Sequence, residues 1–489
     1  MKLSEVMAGT GARRAGGPDG DPEIRRVTCD SRQAAPGTLF FALLGAKADG
    51  AKFAREAVAK GAVAVVSEKS IEGLSSATSF EAPQARRAMA IAAANFFGRP
   101  ATAMTLLGVT GTNGKTTTTY LVEAILAAAG EKPGVIGTVS YRFAGREIPA
   151  PNTTPESTAL QELLAQMRDA GTTAVAMEVS SHALAQERAF GLSFTSAAFT
   201  NLTRDHLDYH GDMESYFAAK RKLFFEMCAG PATVNADDKW GQRLIDELVR
   251  EGRTAWGFSA RGRAADLYVR GIETSIDGMK GTLVTPRGEA PFQTKLVGAH
   301  NLENILTAVG LALGAAFGLE AAVKGVEALA NVPGRLERVG GKGINVFVDY
   351  AHSDDALTRA LAALRPLTRS RLLCVFGCGG DRDQGKRPMM GEAAAKGSDL
   401  AIVTSDNPRT EDPQAIIDAI VPGLKKAGAK EFRVEVDRRK AIELAVSLAK
   451  PGDVILLAGK GHEDYQIVGS EKHHFDDREE TRRALGVSA

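Results

Sequence analysis

The chain has 489 residues, a length beyond one hydrophobic core that predicts about two to four domains. Its 60 Lys plus Arg nearly balance 59 Asp plus Glu, which gives no support to a general nucleic-acid or anionic-membrane binder, since such proteins carry a basic excess on at least one face. Cys29, Cys228, Cys374 and Cys378 form neither a disulfide scaffold nor a repeated CxxC metal pattern, so a reducing, cytoplasmic setting is expected; the first residues also lack the apolar run of a secretion signal.

Taken in chain order, residues 1–101 predict a small α/β domain, with β-like runs at 38–44 and 62–68 and an alanine-rich helix that stops near Gly98-Arg99-Pro100. A central domain, 102–335, opens on the apolar strand 104–110 and alternates strands with helices. The uncharged run 305–319 is too short to span a bilayer and reads as a buried helix. Pro333 and Gly334 interrupt the pattern before a last domain, 336–489, where the apolar strands NVFVDY, LLCVF, LAIVTS and DVILLA alternate with helices. This alternation predicts parallel α/β sheets in the middle and last domains.

The first strand of the central domain runs into GTNGKTT, 111–117. Five residues separate Gly108 from Gly114, where the common phosphate-binding loop has four between its first glycine and its Gly-Lys pair. Strand, glycine turn and helix N-terminus still make an anion site, because small residues let backbone N–H groups reach phosphate oxygens and the helix dipole adds to them. Lys115 can bridge phosphates and Thr116 can hold magnesium. Downstream, the strand AVAME ends in Glu178, a suitable carboxylate for the divalent ion that accompanies a nucleotide.

A third signal lies in 211–225. At helical spacing Met213, Tyr216, Phe217, Leu223 and Phe224 form one stripe with Lys220 at its centre, while Arg221 and Lys222 point away. A lysine there must find a partner, lose its proton or snorkel to the edge, and snorkelling is the ordinary outcome. A neutral amine has a further option: it can add carbon dioxide and become a carbamate, an anionic oxygen ligand for magnesium. The loop before it offers Asp205, His206, Asp208 and His210, from which one histidine could be a second metal ligand.

Together, TGTNGKTT at 110–117, Glu178, NLTRDHLDYH at 201–210, Lys220 in YFAAKRKLF, VGAHNLENILTA at 297–308, VPGRLERV at 332–339 and DYAHSDDAL at 349–357 resemble the Mur ligase family. These enzymes join amino acids to a UDP-linked muramoyl precursor of peptidoglycan. CDSRQAAPGTLFFAL, FGCGGDRDQGKRPMM and LAGKGHEDYQ extend the resemblance to both ends of the chain. It implies a small UDP-binding N-terminal domain, a central ATPase-like domain with a mainly parallel sheet, and a Rossmann-like C-terminal domain. It implies ATP at Gly111, Thr112, Asn113, Gly114, Lys115, Thr116 and Thr117, with His300, Asn301, Asn304, Arg335 and Asp349 around the nucleotide. One magnesium would take Thr116 and Glu178, and a second would take Glu178, His206 and carbamylated Lys220; Lys115, Glu178, His206 and Lys220 form the implied catalytic set. Ser31, Asn152, Thr153, Thr154, Ser180, Gln186 and Arg188 would hold the UDP-sugar dipeptide. Two local departures are Ser353-Asp354-Asp355, where Thr-Pro-Asp is common, and Ala51 in DGAKF, where His or Arg commonly follows the glycine.

Three loops of the last domain follow apolar strands, and open α/β sheets bind ligands at such carboxyl ends. They carry Arg382, the run Asp406-Asn407-Pro408-Arg409, and Gly459 with Glu463. Arginine suits a carboxylate, and Asp and Glu suit an ammonium. meso-Diaminopimelate exceeds lysine by one carboxylate, for which Arg409 is the extra cation, unless it caps a helix or pairs with Glu411. DNPR resembles the diaminopimelate-adding members. The expected activity is ATP-dependent addition of diaminopimelate to the D-glutamate γ-carboxylate through an acyl phosphate, by a monomer that binds small molecules and neither nucleic acid nor membrane. A lysine-adding or folylpolyglutamate synthase-like ligase is the alternative within this architecture, and a nucleotide-dependent switch is the alternative of another class.

Overall fold

The computed structural model describes residues 1–45, 49–341, 343–429 and 431–487. The chain divides into two compact units, Met1–Tyr268 with Val284–Gly288 and Asn304–Gly325, and Val269–Leu283 with Glu289–Glu303 and Val326–Ala489. The first unit contains two α/β modules.

In the N-terminal module the strands Arg26–Thr28, Thr38–Ala42, Ala62–Ser67 and Thr78–Glu81 run parallel, and Arg13–Gly16 closes the edge antiparallel. The alanine-rich run predicted as a helix is Ala85–Phe96. Its small face, Ala85, Ala88 and Ala92, packs with Leu39, Phe41 and Val66 of the sheet.

The central module is built around Thr105–Thr110, which lies between Ala174–Glu178 and Ser196–Phe199, all parallel. Beyond them lie Pro133–Ile136 on one side and Ala232–Asn235 and Ala255–Ser259 on the other. Ala174–Glu178 is buried at every position, as expected of a parallel strand covered on both faces. An antiparallel edge, Ser140–Phe143 and Arg146–Pro149, was not anticipated from the sequence. The phosphate-loop strand thus has neighbours from later in the chain on both sides, so three carboxyl ends converge beyond Thr110.

The second unit repeats this logic. Its sheet runs Glu337–Gly341, Ile344–Asp349, Val454–Ala458, Leu372–Phe376, Leu400–Val403, Phe432–Val434, antiparallel only at the first pair. The loops bearing the expected amino-acid residues leave adjacent carboxyl ends.

Behind one of these ends Arg438 and Asp477 form an ion pair with both side chains fully buried, and Arg438 also donates to the Ala458 carbonyl at 3.0 Å. Removing one partner leaves an uncompensated buried charge. Asp477→Ala is therefore expected to cost about 3–5 kcal/mol, read as faster amide exchange in Val454–Ala458; a loss below about 1 kcal/mol, the scale of an exposed pair, would show that the pair contributes little.

Candidate active site

The loop after Thr105–Thr110 is held by the one after Ser196–Phe199. Thr112 N–H donates to Asn201 O at 2.8 Å, Asn113 N–H to Asn201 Oδ1 at 3.0 Å, and Thr200 N–H to Thr110 O at 3.0 Å. The turn demands glycine twice. Gly111 has φ +150°, and a Cβ there would lie 1.9 Å from Thr200 Oγ1; Gly114 has φ +89°, and its Cβ would meet Asn304 Oδ1 at 2.3 Å. The helix Lys115–Ala128 starts at once, with Thr116 and Thr117 buried in its first turn. Lys115 Nζ curls back to donate to Gly111 O at 2.9 Å and Thr112 O at 2.8 Å.

Lys220 does not snorkel. It lies on the helix Met213–Glu226 with 1 % of its surface exposed, and its Nζ donates to the same Gly111 carbonyl at 2.8 Å. The amine also stands 4.6 Å from the Tyr216 ring centroid. Burial and then the Lys115 ammonium hold its pKa well below the usual lysine range. Nearby, His206 adopts a left-handed φ of +53° at the start of Leu207–His210. Its ring packs edge-on against His182 at 4.8 Å between centroids and faces Tyr216 at 6.2 Å. Burial lowers its pKa, and Lys115 and Lys220 add to that effect.

Glu178 is fully buried at its strand end, opposite Val109 in register. Its carboxylate accepts from Thr138 N–H and from Thr138 Oγ–H, each at 3.0 Å. Because the one Thr138 hydroxyl proton goes to Glu178, Thr153 donates in the 3.0 Å contact between the two hydroxyls. Thr154 Oγ1 donates to Glu178 O at 2.8 Å and accepts from Ser180 N–H at 3.1 Å. Arg188 reaches Thr154 O at 2.9 Å and Gln186 Oε1 at 2.7 Å, and pairs with Glu156 at 2.8 Å. Five of the seven residues expected around the sugar dipeptide thus form one network; the Asn152 carbonyl accepts from Tyr141 Oη–H instead. Ser31 is not part of it among the described residues; its hydroxyl donates to Glu56 in the N-terminal module.

Among the other expected nucleotide residues, His300, Asn301, Arg335 and Asp349 belong to the second unit. The Arg335 guanidinium stands 5.1 Å from the Tyr350 ring centroid. Burial pushes Asp349 up to about 6 despite Arg335, and burial with Arg359 and Arg335 pushes His300 down to about 4. Asn301 Nδ2 donates to Val297 O at 2.9 Å.

The amino-acid loops do come together. Arg409 Nη1 donates to Gly380 O at 2.8 Å, and a Cβ on Gly379 would lie 3.0 Å from Arg409 Nη1 and 3.8 Å from Arg382 Cγ, so two arginines flank one glycine turn. Glu411 is taken by Arg387 at 2.8 Å, which removes the pairing the sequence offered for Arg409. Asn407 Nδ2 donates to Glu463 Oε2 at 2.9 Å, and a Cβ on Gly459 would stand 3.2 Å from Asp406 Oδ2. Pro408 is buried between them in sequence. Burial and then Asp406 raise the Glu463 pKa.

Thr138, which holds Glu178, was not singled out from sequence, nor was the aromatic group around His206. The tract His182, Tyr209, His210 and Tyr216 carried a composition signal, since His182–Tyr209 and His210–Tyr216 ring contacts lie at 4.3 and 4.9 Å. Thr138 carried none. Among the described residues no three His, Cys, Asp or Glu side chains form a metal-binding group, and no helix is long and apolar enough to cross a membrane.

A parallel sheet with a glycine-lysine loop at its central carboxyl end, beside a strand-end carboxylate, defines a nucleotide-binding α/β protein. The chain belongs to the Mur ligase family: residues 23–96 match the Mur ligase family catalytic domain, 109–312 the Mur ligase middle domain, and 334–461 the Mur ligase glutamate ligase domain. It is 49 % identical to the UDP-N-acetylmuramoyl-L-alanyl-D-glutamate–2,6-diaminopimelate ligase of Geobacter metallireducens, across 99 % of this chain and 98 % of the relative. Identity to the ligase of the same name from Gloeobacter violaceus is also 49 %, with the same coverage. A solved structure of a ligase of that name, 33 % identical, superposes with a TM-score of 0.72 over 99 % of both chains. The MurF ligase of Thermotoga maritima in complex with ADP shares the fold at a TM-score of 0.63 and 18 % identity, over 94 % of this chain and 97 % of that one.

The contacts at the loop give a direct test. Gly111→Ala is expected to destabilise the first unit by about 1–3 kcal/mol through the clash with Thr200, lowering its thermal midpoint and raising the KM for ATP. Unchanged values of both would show that the turn tolerates a side chain.

Proposed function

We propose that the chain is an ATP-dependent amide ligase that adds meso-2,6-diaminopimelate to the D-glutamate γ-carboxylate of UDP-N-acetylmuramoyl-L-alanyl-D-glutamate, acting as a cytoplasmic monomer. The observation that carries the choice of amino acid is the pair Arg382 and Arg409 at the Gly379 turn, next to the Asn407–Glu463 contact. Two guanidiniums and one half-buried carboxylate match a substrate end bearing carboxylate and ammonium together, and near-full-length identity to ligases of that name supports the same reading.

In this reaction the substrate carboxylate attacks the γ-phosphorus of ATP, ADP leaves, and an acyl phosphate forms. The amine then attacks the acyl carbon, inorganic phosphate departs and an amide remains. The N–H groups of residues 111–117 cradle the phosphates, and Lys115 exchanges its two carbonyl contacts for phosphate oxygens, with Asn304 beside the loop; for His300, Asn301, Arg335 and Asp349 of the second unit, the nucleotide role rests on the family resemblance. Arg188, held by Glu156 and Gln186, presents its remaining N–H groups to the dipeptide carboxylates, with Asn152, Thr153, Thr154 and Ser180 beside it and Ser31 at the uridine end. Glu463 and Asp406 take the amino-acid ammonium, and Arg382 and Arg409 its carboxylates.

The family implies magnesium, and the residues fit it. Thr116 offers a hydroxyl, His206 an imidazole of lowered basicity, and Glu178 a carboxylate that uses only two of its acceptor positions on Thr138. Lys220, buried and with depressed basicity, has the properties that carbamate formation needs, which would add the second anionic oxygen group. When bound, magnesium would neutralise charge on the phosphates.

The deciding measurement is phosphate release from ATP with the UDP-sugar dipeptide and diaminopimelate, lysine or no amino acid. Release is expected with diaminopimelate, with lysine lower by roughly ten-thousand-fold, because a site built for a polar group rejects the analogue lacking it. Equal rates with lysine would identify a lysine-adding ligase, and ADP release independent of any amino acid would identify a switch protein. Arg409→Ala is expected to raise the KM for diaminopimelate by at least about a hundredfold, the loss of a charged bidentate contact, while leaving the KM for ATP unchanged; an unchanged diaminopimelate KM would remove the arginine from the site. Lys220→Ala is expected to abolish turnover, with partial return on adding short carboxylic acids. Full activity in that variant would mean that the lysine serves the fold alone.

A further inference from the structure

Lys460 lies in the same loop as Glu463 yet faces away from solvent, with none of its side chain exposed. Its ammonium donates to Asn407 Oδ1 at 3.1 Å and to the Tyr465 carbonyl, and stands 3.4 Å from Asp406 Oδ1. Two of its three protons go to these hydrogen bonds, and Asp406 Oδ1 stands at ion-pair distance beside the third.

What it fixes is the Asn407 amide. Asn407 Oδ1 accepts from Lys460 and from Ile467 N–H at 3.0 Å, while Nδ2 donates to Glu463 Oε2 at 2.9 Å. Reversing the amide would turn its NH₂ toward an ammonium and an N–H, so one orientation is enforced. Lys460 therefore acts on both carboxylates of the subsite, on Asp406 directly and on Glu463 through Asn407.

The charge count gives this a consequence. The titratable groups around Asp406 and Glu463 are Lys460, Arg438, Asp477, Tyr350, Tyr465, His352 and the Cys378 thiol, with Arg409 beyond Tyr465 on the side assigned to the substrate carboxylates. Arg438 and Asp477 neutralise each other in their buried pair. Two carboxylates against one ammonium leave a single negative charge, which matches one incoming ammonium. We propose that Lys460 is a positioning residue of the amino-acid subsite, orienting Glu463 through Asn407 and standing against Asp406, and so setting the net charge that the substrate ammonium meets. This rests on the ligase reading above. In support, burial and Asp406 already raise Glu463, and Lys460 is among the groups that pull it down. Without Lys460, the half-buried Glu463 would stand in the field of Asp406 with no ammonium to offset it, and would take up a proton more readily.

The test is the KM for diaminopimelate between pH 6.5 and 8.5 in wild type, Lys460→Met, Asp406→Asn and the double variant, at saturating ATP and UDP-sugar. A carboxylate whose pKa rises is protonated below the new value. Hence Lys460→Met is expected to show a raised KM that falls with increasing pH, by up to about tenfold per pH unit, with the KM for ATP unchanged. The double variant, which loses one charge of each sign, is expected to have a flat profile. Asp406→Asn alone is expected to be raised and flat. If Lys460→Met fails to fold, the other two variants still decide. A Lys460→Met profile parallel to wild type would overturn the proposal, as would a slope in the double variant or in Asp406→Asn. If wild type uses another amino acid, the ligase reading changes, and the same profiles measured with that amino acid judge Lys460 independently.

Discussion

Two amines donate to one backbone carbonyl, that of Gly111, and the central site is organised around that contact. Two ammonium ions on one oxygen stand on the order of 5 Å apart, a repulsion of about 3 kcal/mol at an effective dielectric of 20. The pair is relieved if one amine gives up its proton, and burial decides which. Lys115 sits at a helix start with a second carbonyl to hold it, whereas Lys220 is buried beside the Tyr216 ring and is the one driven toward neutrality. The same arrangement keeps a cation ready for an anion: a phosphate arriving at the loop offers Lys115 better oxygens than those carbonyls.

The fold produces this contact by bringing three strand ends together. Gly111 follows one strand, Glu178 ends its neighbour, and Thr200 and Asn201 follow the other, with Asn201 gripping the loop through three hydrogen bonds. None of these groups is close to the others in sequence except within the loop itself. The second unit uses the same device, because the loops after Leu372–Phe376, Leu400–Val403 and Val454–Ala458 leave adjacent parallel strands. In both units the apolar strands fix positions to which short polar loops add chemistry.

This division explains how much could be read from sequence. The strands and the main helices were legible because fully buried parallel strands are continuous apolar runs, and Lys220 was conspicuous because it broke a helical stripe. Thr138 was not legible, since its role depends on a strand 40 residues later. The hairpins Ser140–Pro149 and Tyr465–His474 escaped because their exposed faces mix polar and apolar residues without a clean period. Sequence proximity misled at Glu411, two residues from Arg409 but paired with Arg387 across the loop. Lys460 was not singled out from the sequence, because its contacts with the Tyr465 carbonyl and near the Phe475 ring come from the hairpin that follows it, which no local pattern records.

That hairpin also accounts for the direction of Arg409. This residue has φ +52°, a left-handed conformation that costs a non-glycine residue about 1 kcal/mol or more. It persists because the backbone is held at both ends: Arg409 N–H donates to Ile467 O at 3.1 Å, and Gly469 N–H donates to Arg409 O at 2.7 Å. The side chain leaving this turn has one N–H on Gly380 O, and the other guanidinium nitrogens remain for a carboxylate. Ile467, which helps hold the arginine, also donates to Asn407 Oδ1, and Asn407 orients Glu463. One strand of the hairpin therefore sets the cation and, through Asn407, the anion of the proposed amino-acid subsite. Under the proposed reaction, discrimination between diaminopimelate and lysine depends on backbone register as much as on the arginine itself, so a shift of the hairpin would disturb carboxylate and ammonium recognition together.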